Sequence, residues 1–403
     1  MVKMKNTFLT LILTACAVSC GLSETGHSSR PSGQEIWKNP AFSPDSSSYA
    51  RKRCYVTGLD YPDGYDWRAD PENGTVKCSL VVFVDGIPAM KIPVGHEYHV
   101  SPDPDMHRVI EGHLYTDYST EEETVIKKDG KEVFRYPGRE MIIGMEVLEG
   151  DIYTLGQPRN GDGFAYRRNG TALIQRGTGY AFPRLQQVDG SICFAFSEPI
   201  ESLDEILERY YHVMDGEVSQ VAVREDVKKV WDVLMHDGEV CWSGTLTGVS
   251  APVIASGGKM TAIEFSKGVN LLTSRLVSAG KSIGMEAICS DGLSYSSGLW
   301  KDAAKYMSFS KEMTINGLCT WDDGICCVLN SGSLTGGGTI FRCGEIFEIP
   351  AGYTVMGSSP IAMKDGILHV GLSSLNKSKP VIWKDGTRQE IDINGFICTL
   401  SVH

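Results

Sequence analysis

A tight turn recurs eight times along this chain, and its spacing limits what the chain can fold into. Each copy follows a run of β-forming residues and turns on a small residue: VFVDG at Gly86, IKKDG at Gly130, YRRNG at Gly170, HVMDG at Gly216, IASGG at Gly258, LWKDA at Ala303, FRCGE at Gly344 and IWKDG at Gly386. The steps between them are 44, 40, 46, 42, 45, 41 and 42 residues. Asp-Gly or Asn-Gly between two such runs is the strongest short-range hairpin signal, because a type I′ turn needs positive φ at both central residues. A second series interleaves with the first: IEG (Gly112), LEG (Gly150), VDG (Gly190), HDG (Gly238), SAG (Gly280), DDG (Gly324) and KDG (Gly366). Each period therefore holds two hairpins. Four strands in about 40–45 residues is the signature of one β-propeller blade.

The two series differ in number, eight against seven, and the difference is informative. The chain from Arg53, Cys54, Tyr55 and Val56 supplies strands two to four of a first blade and lacks strand one. Residues 395–402, GFICTLSV, match a strand one and stop where the next turn would fall. Pairing this strand into the first blade closes the ring and removes two free sheet edges. The expected fold is all-β: a propeller of eight four-stranded blades over 53–403, closed by the C-terminal strand. Seven blades is the alternative, if the irregular units within 258–309 share a blade. Composition agrees, with 42% hydrophobic residues and 44 glycines. One short helix is expected over 203–210, after the capping-box match Ser202, Leu203, Asp204, Glu205.

Residues 1–20 read MVKMKNTFLTLILTACAVSC. Basic Lys3 and Lys5 precede an apolar segment, 7–18, too short to span a bilayer as a helix. Ala17, Val18, Ser19 and Cys20 resemble the lipobox of bacterial lipoproteins, which implies removal of 1–19 and acylation of Cys20. Leu13, Thr14, Ala15 and Cys16 form an alternative lipobox with a shorter apolar core, and an ordinary secretory signal is the third reading. Residues 20–52 are rich in Ser, Pro and Gly and lack the apolar content for a core. They are expected to tether the domain on the order of 30 Å from the lipid, with Ile36, Trp37 and Phe42 available to dock. Without 1–19 the chain has 36 Lys and Arg against 50 Asp and Glu, a net charge of −14. An acidic chain without a basic stripe is a poor nucleic-acid binder, so membrane attachment falls to the lipid.

The W-K-(D/N)-G repeats, the lipobox and the Ser-rich tether together resemble uncharacterised propeller lipoproteins of Bacteroidota-type bacteria. The resemblance covers 53–403. It implies the fold and export to the cell envelope, with the outer membrane as the expected location, and carries no known activity.

Twelve cysteines in an exported chain invite disulfides. The repeat argues otherwise. Three residues after the first-turn glycine the units read Tyr115, Tyr153, Cys193, Cys241, Ile283, Cys327 and His369, so cysteine substitutes for bulky residues at one strand position. Cys193, Cys241 and Cys327, with Cys319 and Cys398 on innermost strands, are expected as buried thiols. Cys54 and Cys78 share the first blade and are candidates for a bridge.

In this topology both tight turns lie on one face, and the long loops between strands two and three lie on the other. Function in such scaffolds falls on variable loops. The loop over 59–76 places Tyr61, Tyr65 and Trp67 among Asp60, Asp63, Asp66 and Asp70. Aromatic faces flanked by carboxylates suit sugar stacking with hydroxyl hydrogen bonds. The same carboxylates suit Ca²⁺, which takes several oxygen ligands; packing of the loop onto the tether is the other account. The stretch HEYHVSPDPDMH holds His96, His99, Asp103 and His107, a set able to hold a metal through imidazole and carboxylate, though a solvated loop has the same composition. It is H-E-x-H, not the helical H-E-x-x-H of zincins. The chain has no G-x-S-x-G, and Gly336-Gly337-Gly338 lacks the Lys-Ser/Thr of a P-loop. No catalytic residue and no obligatory cofactor follow. The favoured function is binding of a glycan or an envelope partner protein on the loop face, without catalysis. The alternative is a polysaccharide lyase or glycosidase working from the mouth of the central channel.

Overall fold

The computed structural model describes residues 37–38, 53–66, 78–94, 107–119, 122–158, 161–200, 207–221, 223, 226–247, 249–263, 270–290, 292, 295–309, 313–322, 324–331, 333, 335–356, 360–376 and 378–402. Among these residues every regular element is a strand. Eight antiparallel sheets follow one another along the chain, seven of them contiguous in sequence. Blade two is built from His107–Ile110, His113–Ser119, Glu123–Lys128 and Lys131–Pro137, and blade eight from Ile361–Lys364, Ile367–Ser374, Val381–Lys384 and Thr387–Glu390. Blades five and six, Val227–Ala262 and Asn270–Ser308 in outer bounds, are separate sheets, so the ring has eight blades and not seven.

The turns form as their chemistry requires. Asp85 and Gly86, Asp129 and Gly130, Asn169 and Gly170, Asp215 and Gly216, and Asp385 and Gly386 all have positive φ. Asp and Asn tolerate this conformation and Gly enters it without a Cβ penalty. The acid has a second task. Oδ1 of Asp85, Asp129, Asn169, Asp215, Asp302 and Asp385 accepts a hydrogen bond from the backbone N–H of Cys54, Leu114, Ile152, Ile192, Ile283 and Leu368, respectively, over 2.8–3.3 Å. Each of these six turns is thereby tied to strand two of its own blade. Blades five and seven carry Gly257 and Cys343 at that position.

Each blade is covered on both sides by its neighbours, which explains the continuous apolar runs of its middle strands. Alternate residues face opposite blades, with the period of two that a strand imposes. In Cys78–Val84, Leu80 and Val82 pack with Val109 and Leu114 of blade two, whereas Val81 and Phe83 pack with Ile382, Ile391 and Ile393 of blade eight. In Gly324–Ser331, Cys326 and Val328 face blade eight, and Cys327 and Leu329 face blade six. The core is therefore a set of interblade layers and not one central mass. Outer strands are largely exposed, as in Glu217–Gln220 and Thr171–Arg176.

The ring closes through the C-terminal strand. Gly395–Val402 pairs antiparallel with Cys54–Asp60, in a register running from Cys54 opposite Val402 to Asp60 opposite Gly395. A Cβ on Gly395 would collide with the Leu59 carbonyl oxygen, so glycine is needed where the closing strand enters. Thr57 and Thr399 share a buried hydroxyl hydrogen bond of 2.6 Å. At the outer edge of the same blade, Trp37–Lys38 adds a fifth strand against Lys91 and Met90, so the sheet draws on residues before 53.

Three expectations change. Of the helix expected over 203–210, residues 207–210 belong instead to the strand Leu207–Met214, whose ladder against Ser191–Ile200 runs to the pair Ile200–Leu207. Sheet pairing and the β-formers Tyr210, Tyr211 and Val213 override the local capping signal. Cys54 and Cys78 are both free. They sit at opposite ends of the hairpin, with Tyr55 opposite Val84 and Asp60 opposite Ser79, about 20 Å of strand apart. Finally, in blade seven Trp321 pairs with Gly324, so this glycine is the first strand residue and not the last turn residue. The position of Tyr115 and Tyr153, opposite the residue before the second turn, is held by Cys326 opposite Arg342. In blade six it is held by Gly284 opposite Lys301. Cys193, Cys241 and Cys327 are nonetheless fully buried thiols, Cys398 is buried and Cys319 half-buried.

Candidate functional site

The root of the first long loop is rigidly held. Asn394, one residue before the closing strand, donates its backbone N–H to Asp60 Oδ1 at 2.8 Å and accepts from Tyr61 N at 2.9 Å. Its Nδ2 donates to the carbonyl oxygens of Pro62, at 2.8 Å, and Tyr65, at 3.1 Å. Tyr65 N closes a turn onto Pro62 O at 3.1 Å. Asp60 also pairs with Lys91 at 2.7 Å. Tyr61 and Tyr65 form a ring pair with centroids 5.4 Å apart and planes inclined by 37°. Both are half-buried against the layer of Leu59, Leu80 and Met90. Burial pushes the Tyr61 hydroxyl well above the ordinary tyrosine range. Asp63 is exposed and Asp66 half-buried. Trp67 and Asp70 lie outside the described residues, so five of the six proposed ligand contacts, Asp60, Tyr61, Asp63, Tyr65 and Asp66, stand together on one pinned turn.

The histidine set is only partly in view. His96, His99 and Asp103 fall outside the described residues, as do Cys16 and Cys20. His107 is the first residue of an innermost strand and is 2% exposed. Desolvation lowers its pKa to about 4, and its buried Nε2 has no hydrogen-bond partner.

A charged cluster spanning blades four to six was not anticipated. Asp232 Oδ2 accepts from Arg184 Nη2 at 2.9 Å and from Leu276 N at 2.7 Å, while Arg184 Nη2 also donates to Leu276 O at 3.0 Å. Asp232 Oδ1 accepts from Val233 N at 2.9 Å. Beside it Arg275 pairs with Glu286 at 3.0 Å. Desolvation holds the Asp232 and Glu286 carboxyls above their ordinary values, against the pull of Arg184 and Arg275, respectively. A similar pair, Arg108 and Glu146 at 2.7 Å, joins blades two and three, and Arg108 also donates to Met145 O at 2.7 Å. Nearer the loop face, Glu140 and Arg167 form a buried pair at 2.6 Å, with the guanidinium 4.1 Å from the Tyr136 ring centroid. The available signal was a charge within the apolar part of an innermost strand, as Asp232 in the VWDVLM run and Arg275 in NLLTSRLVSA. Chemically the cluster can staple neighbouring blades, and it can also offer two carboxylates and two guanidinium groups to a ligand.

No family model matches the chain, and no curated protein matches it. Solved structures do. The dihydro-heme d1 dehydrogenase NirN in complex with DHE is similar over 86% of this chain and 74% of its own, at 9% identity and a TM-score of 0.51. The β-propeller domain of the Trilobed protease from Pyrococcus furiosus is similar over 73% of this chain and 93% of its own, at 11% identity and a TM-score of 0.45. An acylaminoacyl peptidase of Pyrococcus horikoshii covers 80% of this chain with 56% of its own, at 11% identity and a TM-score of 0.45. At such identities the likeness is one of fold alone.

Proposed function

We propose that this chain is a lipid-anchored binding propeller of the cell envelope, attached through Cys20 at the outer membrane, that holds a glycan on its loop face. The observation that carries the reading is the pinned Tyr61–Tyr65 pair. Asn394 fixes the loop root through four hydrogen bonds, so the loop loses little freedom when a ligand docks. Aromatic faces beside Asp63 and Asp66 supply stacking and hydroxyl acceptors, and Trp67 extends the same surface in sequence. Glycan-array binding followed by titration tests it. Trp67→Ala should abolish binding with a nearly unchanged Tm, Tyr65→Ala should abolish it and also lower Tm because Tyr65 packs on the layer of Leu59 and Leu80, and a chelator separates Ca²⁺-dependent binding from stacking alone. If no glycan binds and Trp67→Ala melts early, the loop is a structural cover and an envelope partner protein becomes the ligand.

A second reading, an enzyme acting on extracellular polysaccharide from the central channel, is favoured by one observation. Asp232 and Glu286 are neighbouring carboxyls with raised proton affinity beside Arg184 and Arg275. A carboxyl held protonated near a second one is what general-acid chemistry on a glycosidic bond needs. Turnover of polysaccharide that disappears in Glu286→Gln, with unchanged Tm, would establish it.

A further inference from the structure

Blade seven breaks the repeat at one point. Six blades place Asp or Asn at this point of the second turn, before glycine in five of them and before Ala303 in blade six, and its side chain ties the turn to strand two. Blade seven has Cys343 there, in the left-handed conformation with φ 45° and exposed to solvent. A thiol offers no carboxylate for that tie. The Cys343 Sγ lies instead 3.4 Å from the Sγ of Cys326, which is fully buried on strand two and faces blade eight. Cys326 occupies the position that Tyr115, Tyr153 and His369 hold elsewhere. Two departures from the repeat thus meet at one contact. Cys319 stands directly across from Cys326 on the innermost strand and is the third thiol of the group.

We propose that Cys326 and Cys343 close into a disulfide that replaces the carboxylate tie of the other blades. The pairing rests on export to an oxidising compartment, as in the reading above, and is independent of any ligand. Bonding requires the sulfurs, 3.4 Å apart, to approach to about 2.05 Å, by rotation of the side chain of Cys343, which is exposed in the turn. The oxidant is an external disulfide: a thiol–disulfide oxidoreductase or a small oxidised thiol. Cys343 loses its proton and attacks one sulfur of that donor, forming a mixed disulfide and expelling the other sulfur as a thiolate. Cys326 then loses its proton and attacks Cys343 Sγ, which forms the internal bond and releases the donor's remaining thiolate. The protein gives up two protons and two electrons, and the donor disulfide becomes a dithiol.

The bond would close the segment between strand two and the second turn, and a cross-link of this loop size restricts the unfolded chain. The test uses the full chain, purified without reductant and equilibrated with oxidised glutathione. Mass spectrometry of a non-reduced digest should show the peptides carrying Cys326 and Cys343 joined, two hydrogens lighter than the free pair, with fragmentation assigning the bond to Cys326. Reductant should lower Tm by about 3–6 °C. Cys343→Ser, at an exposed position, should keep the fold and abolish this dependence on reductant. Cys343→Asp, which restores the residue of the other blades, should also be insensitive to reductant but melt above Cys343→Ser. Complete alkylation of Cys343 in the oxidised wild type, a bond between Cys319 and Cys326 in its place, or an unchanged reductant effect in Cys343→Ser would each overturn the proposal.

Discussion

Removal of the closing strand is the most demanding perturbation of this ring. Deleting 395–403 takes away Phe396, Ile397 and Leu400, which are 7%, 0% and 1% exposed. Losing each large buried side chain costs about 2–5 kcal/mol, so the three together reach about 6–15 kcal/mol. That equals the whole stability of a typical domain, about 5–15 kcal/mol. The Cys54–Asp60 strand also loses its ladder partner, and Thr57 loses the Thr399 hydroxyl. The truncated chain should therefore be insoluble or largely unfolded by circular dichroism, and its exposed edge should promote association. A graded version is Ile397→Ala. Ile397 packs with Val56 and Phe83 of blade one and with Ile382, Ile391 and Ile393 of blade eight. Its loss should cost about 3 kcal/mol, seen as a lower denaturation midpoint at constant m-value. Val402→Ala, at a half-exposed position at the end of the same strand, should cost under about 1 kcal/mol. A peptide of residues 395–403 added to the truncated chain should restore part of the native signal. If the truncated protein melts like the full chain, the ring does not depend on this strand and the closure argument fails.

Three further outcomes are expected. Cys20→Ala should move the protein out of the membrane fraction and remove acyl label; retention of both would transfer the anchor to Cys16 or dismiss it. His107 has a folded pKa of about 4 against its ordinary 6.5. The unfolded chain therefore binds the proton first, and this group's contribution, about 3 kcal/mol, is complete above pH 6.5 and lost as pH falls through about 4. His107→Gln should flatten the fall of Tm over that window, and parallel curves for mutant and wild type would contradict the assignment. Ala303 occupies the second-turn glycine position with φ 64°. Ala303→Gly should relieve about 1 kcal/mol of strain, less the loss of one methyl packed at the edge of the layer around Trp300; a Tm that drops would mean the methyl contact outweighs the strain.

The repeat was legible because its chemistry is local. Two successive residues with positive φ admit few residue types, so Asp-Gly and Asn-Gly mark the turn wherever they stand, and counting them exposes the missing first strand and its C-terminal replacement. The signal weakened where the turn itself varied. Gly324 is a turn residue by pattern and a strand residue by pairing, and that offset of one moved the repeat position from Cys327 to Cys326 and turned it to the opposite face. The capping box at Ser202 was also local, and residues 207–210 nevertheless joined a ladder whose register continues from the hairpin below. Beyond this lie contacts with no local trace. Arg184 reaches Asp232 across 48 positions and Leu276 across 92, Asn394 reaches Pro62 across 332, and Cys343 finds Cys326 only through the register of two paired strands. The sequence by itself determined most of the turns, the period and the closing strand, since each depends on the backbone preferences of adjacent residues, whereas the choice of eight blades over seven needed the sheet pairing. Only the tertiary structure decided which charges pair, which face a cysteine takes and how the tyrosine loop is held, because these depend on distances between blades that no short stretch of chain encodes.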